Sequence, residues 1–375
     1  MTQWPLFGEP EPPDEDLPHC PHCGAPVPGY ASYCEGCGGP LVPTQPPPAP
    51  DAPADAPSAQ TRRLGERVSQ VTVCASCGGT IDADGYCQTC GSKAPDPHDH
   101  EEAAPADWVA GVCDRGLSHP RNEDAMALWA DGSRAVLVVC DGVTTSTDAD
   151  IAAQAAAKAA CEFLAASFEE HLDPDDLMRA AVAHANDAVI AATPPDSANT
   201  ASATFAAAVV DGDRLVFASL GDSRVYWSGE SQAMLTTDDS MAQEFIAHGM
   251  SRRAAEAMPQ AHAITKWLGR DATDLVPDSG TRALEGPGWV VVCTDGLWNY
   301  ASDADTLASA MGDVAGPDDT PLSLARGLVA WANDQGGHDN VTVALAKVPQ
   351  RDNLESEQAD GKAEHGDLHF CRLPE

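Results

Sequence analysis

The sequence predicts a mixed α+β domain of about 240 residues, strand-rich with paired helices, preceded by two small cysteine-bearing modules on flexible linkers. Three observations carry this expectation. Ala135-Val-Leu-Val-Val-Cys-Asp-Gly142 and Gly288-Trp-Val-Val-Val-Cys-Thr-Asp295-Gly296 are apolar runs closed by a turn dipeptide, the pattern of buried strands ending at loops. Apolar stretches over 202–210 and 214–220 flank Asp211-Gly-Asp213 and read as a hairpin. Eight of the 13 cysteines form four Cys-x-x-Cys pairs before residue 91.

The helices follow from their starts. Asp148 is expected to cap an alanine-rich helix reaching about Glu170, with Ile151, Ala155, Ala159, Phe163 and Leu164 on one face. Asp173-Pro174-Asp175-Asp176 opens a second, with proline and acids in its first turn. A third covers Pro321 to Asn333, and Met241 to Gln260 is also expected to be helical.

In the N-terminal part, Cys20, Cys23, Cys34 and Cys37 form one unit and Cys74, Cys77, Cys87 and Cys90 another. Two Cys-x-x-Cys turns present four thiolates to one ion, and the glycine after each second cysteine lets the backbone turn back near the sulfurs. These segments look like zinc ribbons with structural Zn²⁺; a redox dithiol or an iron–sulfur cluster is the alternative. Four thiolates leave zinc no open position for water, so no catalysis is expected there. No Lys or Arg lies between the first and last cysteine of either unit, so a protein-docking module or a structural staple fits better than nucleic-acid binding. The expected layout is an acidic disordered leader (1–18), a first ribbon (19–40), a Pro-rich linker (41–73) and a second ribbon (74–92). An acidic linker (93–107), with His98 and His100 solvated, leads to the main domain (108–348) and a disordered tail (349–375).

The formal net charge of −37 argues against nucleic acid or an anionic membrane as partner. No apolar run approaches the ~20 residues that span a bilayer. The N-terminal stretch shows no basic flank or apolar core of an export signal, so a cytoplasmic protein is expected. Cys113, Cys140, Cys161, Cys293 and Cys371 are scattered singly and read mostly as small core residues. Cys293 shares a strand face with Asp295, so it is either a packing residue or a redox-sensitive thiol.

Two buried strands that each end in an aspartate suggest converging carboxylates, and those suggest a hard divalent metal. Further acids stand in Arg121-Asn-Glu123-Asp124, Gly221-Asp222-Ser-Arg224 and Gly336-Gly-His338-Asp339-Asn340. Each is weak alone, since Asp-Gly is a common turn dipeptide. Together, and in this order, they resemble the metal-dependent serine/threonine protein phosphatases of the 2C type. Asn199-Thr-Ala-Ser-Ala, Leu235-Thr-Thr-Asp-Asp-Ser240 and Ala263-Ile-Thr-Lys-Trp-Leu-Gly269 extend the likeness over roughly Val109 to Val348. No Cys-x5-Arg loop is present, so a cysteinyl-phosphate route has no support.

The resemblance implies a sandwich of two antiparallel sheets flanked by helix pairs (α/β/β/α), with a metal cleft at one end. It implies hydrolysis of phosphoserine or phosphothreonine in protein by a water activated by two Mn²⁺ or Mg²⁺ ions. Asp141 would bridge them, Asp295 and Asp339 would complete one site, and Glu123 and the Gly142 carbonyl would act on the other. Asp222, with Asp295, would hold a third ion. The chain departs from the family at two places. His119 stands where the family has the arginine that grips the phosphate, leaving Arg115, or less favourably Arg121, to substitute. Val143-Thr-Thr-Ser-Thr147 replaces a loop of glycines and a histidine. The rival reading is a catalytically weak scaffold or sensor whose ribbons dock a protein partner. A nucleic-acid protein is the third reading, disfavoured by the charge.

Overall fold

The computed structural model describes residues 73–349, apart from 75, 83–84, 92–93, 95, 171, 196–198 and 317–319, together with the pair 369–370. The chain divides into two units, residues 1–66 and 67–375, and every described residue belongs to the second. The expected leader, first ribbon with Cys20, Cys23, Cys34 and Cys37, and most of the Pro-rich linker lie outside the described residues.

In chain order the elements are β1 (His100–Ala106), β2 (Val109–Asp114), β3 (Asp124–Asp131), β4 (Arg134–Asp141), α1 (Ala149–Ala166) and α2 (Pro174–Ala192). There follow β5 (Ser202–Ala203), β6 (Phe205–Asp211), β7 (Arg214–Leu220), β8 (Arg224–Ser228), β9 (Gln232–Met234), α3 (Met241–Ala247) and α4 (Arg252–Glu256). The last are β10 (Leu268–Gly269), β11 (Asp278–Ala283), β12 (Gly288–Cys293), α5 (Asp295–Trp298), α6 (Ala304–Val314), α7 (Pro321–Gln335), β13 (Val341–Val348) and β14 (His369–Phe370). One sheet has the order β1-β2-β13-β12-β8-β9 and the other β11-β7-β6-β4-β3-β14, and neighbouring strands in both run antiparallel.

The layers follow from period-two alternation. On β12, Val290 and Val292 enter the core that also buries residues of the other sheet and of α1 and α2. Val291 and Cys293 point the other way, into a second core with α6 and α7. The sandwich is therefore covered by helices on both outer faces. Because both faces of β4 and β12 are buried, their sequences read as unbroken apolar runs. Alanines 152, 153, 156, 157 and 160 on α1 are essentially inaccessible, and their small side chains fit the helix into the same core as α2 and the sheet.

Several expectations are corrected. Residues 100–106 are not linker: they pair with β2 from His100↔Asp114 to Ala106↔Val109, so the folded domain starts before residue 108. His98 is buried rather than solvated, whereas His100 is exposed as expected, its Nδ1 2.6 Å from Asp114 Oδ2. In the tail, His369–Phe370 pairs with β3; the rest of 349–375, including Cys371, lies outside the described residues apart from Pro349. Asp148 precedes α1 in a left-handed conformation (φ 57°) and makes no side-chain cap. Asp173 does cap α2, accepting from Asp175 N at 3.1 Å. The expected helix over 241–260 is two short helices, separated where Gly249 takes φ +96°. No helix among the described residues is long and apolar enough to cross a membrane.

Candidate active site

Strand ends bring the acids together. The β3–β4 register places Asp124 opposite Asp141. Asp295 opens α5 straight after β12, Asp339 lies two residues before β13, and Asp222 sits in the turn between β7 and β8. Burial lifts the carboxyls of Asp141 and Asp295 well above the usual range, and the charges of Asp124, Asp222 and Asp339 add to it for both. Burial, then the nearby Asp238 charge, pushes Asp222 up to about 7. Glu123 is also buried.

Two side chains hold these ends in register. Asp124 is fully buried, and its Oδ2 accepts from Thr294 Oγ1 at 2.8 Å and Thr342 Oγ1 at 2.7 Å. One carboxylate thus ties β3 to the residue before Asp295 and to the strand after Asp339. Asn340 does the same for the loop before β3. Its Oδ1 accepts from Glu123 N at 2.7 Å, and its Nδ2 donates to the carbonyls of Arg115 (2.8 Å) and Arg121 (3.1 Å). Gly142 completes the close approach: its N–H reaches the Glu123 carbonyl at 3.1 Å, and a Cβ there would meet that oxygen at 2.7 Å. Asp124 and Asn340 stand within the sequence motifs, but the sequence alone assigned neither a role. The available signal was an acid at the head of an apolar strand, which demands a partner.

The basic residues are arranged differently from the expectation. His119 Nε2 lies 3.2 Å from Asp339 Oδ1. Arg115 turns its guanidinium to the His119 carbonyl and to Asp99 Oδ1, the latter at 3.5 Å. Arg121 instead holds Glu123 Oε1 through Nε and Nη2, both at 2.7 Å, and the charges of Asp148 and Asp150 also act on it. Of the two arginines, Arg121 is the one paired with an acid of this group.

The altered loop 143–147 is pinned. Val143 N donates to the Ser202 carbonyl (2.9 Å), Ser146 Oγ accepts from Ser202 N (3.2 Å), and Thr147 N reaches the Asn199 carbonyl (3.3 Å). Beside Asp222, Arg224 is buried, bonds both oxygens of Asp238 (2.9 and 2.6 Å) and lies 3.5 Å from the Trp298 ring centre. Trp298 Nε1 in turn donates to the Asp222 carbonyl at 2.8 Å. Glu256 of α4 joins this cluster through Ser302 Oγ (2.5 Å), Arg252 (3.1 Å) and Arg224 (3.4 Å). Cys140 and Cys293 are fully buried, and burial pushes the Cys293 thiol up to about 12, which fits a packing residue and not a reactive thiolate.

The acidic group fits hard cations. Glu123 Oε2, Asp124 Oδ1 and Asp295 Oδ1 are buried with no hydrogen-bond partner, a state that is costly unless a cation meets them. The cysteine group fits zinc. The Sγ atoms of Cys74, Cys77, Cys87 and Cys90 all lie within 4.8 Å of one another, with pairs at 3.6 and 3.4 Å. A tetrahedron at Zn–S ~2.3 Å requires about 3.8 Å. Gly78 and Gly91, one after each pair, take φ +73° and +74° and return their N–H groups to the carbonyls of Cys74 and Cys87 at 2.8 Å. Among the described residues no acidic set closes as tightly, as expected of carboxylates that repel one another.

Residues 116–347 match the family model described as protein phosphatase 2C, and residues 20–91 match that of the double zinc ribbon. The protein phosphatase PhpP of Streptococcus pneumoniae is 34% identical over 147 residues, 39% of this chain and 57% of its own. The serine/threonine protein phosphatase PstP of Mycobacterium tuberculosis is 29% identical over 277 residues, 71% of this chain and 49% of its own. The chain thus spans about half the length of these curated relatives. Among solved structures, the M. tuberculosis phosphatase PstP/Ppp superposes with TM-score 0.54 at 28% identity, covering 64% of this chain and 98% of that one. The S. agalactiae serine/threonine phosphatase gives 0.53 at 26%, with the same coverage. The catalytic domain of PstP in complex with two manganese ions gives 0.51 at 25%, again covering 64% and 98%.

Proposed function

Because the chain belongs to the protein phosphatase 2C family, we propose that it hydrolyses phosphoserine and phosphothreonine in proteins with a metal-activated water. The observation that carries this reading is the set of orphaned, buried carboxylate oxygens on Glu123, Asp124 and Asp295, beside acids whose pKa values are raised together. Such a centre is built for cations. Asp141, Asp295 and Asp339 would hold one ion, and Asp141, Glu123 and the Gly142 carbonyl a second. Asp222 with Asp295 offers a place for a third. The relative solved with two manganese ions and the all-oxygen donor set support Mn²⁺ or Mg²⁺. When bound, such a pair lowers the pKa of a water and neutralises phosphoryl charge.

The chain's own residues supply the rest. Asp124 and Asn340 keep the acids in register. Arg121 offers a guanidinium beside Glu123 that can meet a phosphoryl oxygen. His119 lies beside Asp339, and by the sequence resemblance it stands where the family has its phosphate-gripping arginine. The second ribbon would carry Zn²⁺ on Cys74, Cys77, Cys87 and Cys90, and Cys20, Cys23, Cys34 and Cys37 would hold another. A cytoplasmic location and a phosphoprotein substrate belong to the same reading.

Manganese-dependent hydrolysis of p-nitrophenyl phosphate and of phosphopeptides tests it. The parent chain turns over, and Asp141→Asn loses roughly a thousandfold, equivalent to about 4 kcal/mol. The domain over 108–348 has 14 basic against 35 acidic residues, a charge of −21, so acidic phosphopeptides are slower than basic ones at low salt. No turnover by the parent would favour the scaffold reading.

A further inference from the structure

The second ribbon and the loop that carries Glu123 are tied to one another through a very short piece of chain. Ala94 belongs to the ribbon: it is buried with Cys74, Ile81 and Cys87, and its N–H donates to the Gly85 carbonyl at 2.7 Å. Only Pro95 separates it in sequence from Asp96, which opens the turn whose residues His98 and Asp99 bond to the loop before Glu123. Asp96 and Asp99 cap the turn Pro97–Asp99 reciprocally, with Asp96 Oδ1 accepting from His98 N at 3.0 Å and Asp99 Oδ2 from Asp96 N at 3.3 Å. The buried His98 faces Glu101 Oε1 at 3.2 Å, and its carbonyl accepts from Asn122 Nδ2 at 2.9 Å. The Asp99 carbonyl accepts from Arg115 N at 2.8 Å, while its carboxylate faces Arg115 Nε. Arg115 and Asn122 bracket the stretch leading to Glu123, and Asn340 fastens the same stretch from the other side.

We propose that the second ribbon is a metal-dependent brace of the active-site loop. Zinc on its four thiolates fixes Ala94, and through residues 96–99 it sets Arg115, Asn122 and Glu123. The ribbon is too small to keep its shape without the ion, so the anchor exists only in the metal-loaded state. Without zinc the turn 97–99 is held only from its β1 side, and the loop loses one of its supports. The proposal rests on the reading of Glu123 as part of the metal centre for its effect on manganese, but not for its effect on the loop.

The test uses the full chain and two variants. Cys74→Ser/Cys77→Ser removes zinc; a Gly-Gly-Ser insertion after Ala94 keeps all four thiolates but lengthens the tether. Amide exchange is followed in 115–124 and in β7, with zinc content by metal analysis and manganese affinity by calorimetry. Both variants should speed exchange in 115–124 and leave β7 unchanged, and both should weaken manganese binding about tenfold, as loss of a supporting partner does. The insertion should retain zinc. Unchanged exchange in 115–124 in either variant overturns the brace, as does an equal rise in β7, which would report general loosening. If the parent binds no manganese, the metal reading fails separately while the exchange data still decide the brace.

Discussion

Arg115 and Arg121 are six residues apart yet serve different carboxylates, and the difference decides which can meet substrate. Arg121 is half-exposed and bonded to Glu123, whereas Arg115 is drawn to Asp99 and the His119 carbonyl. At saturating manganese, Arg121→Ala is expected to raise KM for a phosphopeptide about tenfold with a smaller change in kcat, the worth of one charge-assisted hydrogen bond. Arg115→Ala should leave KM near the parent value; steady-state kinetics on the two variants decide, and the reverse pattern would reassign the role. The sequence favoured Arg115 because it follows a strand. Position along the backbone does not say which carboxylate captures a long side chain, and Asp99 lies in a stretch that composition marked as linker.

At the scale of elements, the site depends on three strands being clamped through one buried carboxylate. Asp124→Ala leaves the Thr294 hydroxyl without its acceptor and Thr342 with only Cys113 Sγ at 3.2 Å, at about 1–3 kcal/mol for a buried group left unpaired. Asp124→Asn keeps an acceptor and should cost less. Urea unfolding of both variants checks this, and equal stability would show that the clamp is unimportant. The strands that end in Asp141 and Asp295, the hairpin β6–β7 and the start of α2 were legible because each carries its own signal: a doubly buried run, a turn dipeptide, a capping acid before proline. β1 was not, since His-Glu-Glu-Ala-Ala-Pro-Ala has no buried face and is held by pairing with β2. The acids of the site were legible as a set through a family likeness, but their clamps were not. Asp124 and Asn340 bond across more than 160 residues of sequence, which no local pattern records.

For the whole molecule, the gathered acids make stability depend on pH and metal. Unfolded aspartates titrate near ~4. In the fold, burial and Asp238 push Asp222 up to about 7, and burial with neighbouring acids lifts Asp141 and Asp295 well above the carboxylate range. The native state therefore binds more protons than the unfolded chain above pH ~4, so stability present below that value is lost as pH rises through the folded pKa values. Metal-free protein should melt several degrees lower at about pH 8 than at about pH 5. Bound at the proposed centre, manganese would compete with those protons, and its stabilisation should grow across the same window. Thermal melts with and without the ion provide the check; a metal-free melting temperature that rises with pH would contradict the clustering.

On the proposed reading, carboxylates from separate strand ends form one centre that binds hard cations. Calorimetric titration of the zinc-loaded chain with manganese tests it most directly, comparing the parent with Asp141→Asn. Two ions should bind the parent, with turnover rising as the second site fills, and the variant should retain neither paired site. A parent that binds no manganese, or a variant that binds both ions and turns over at the parent rate, would contradict it.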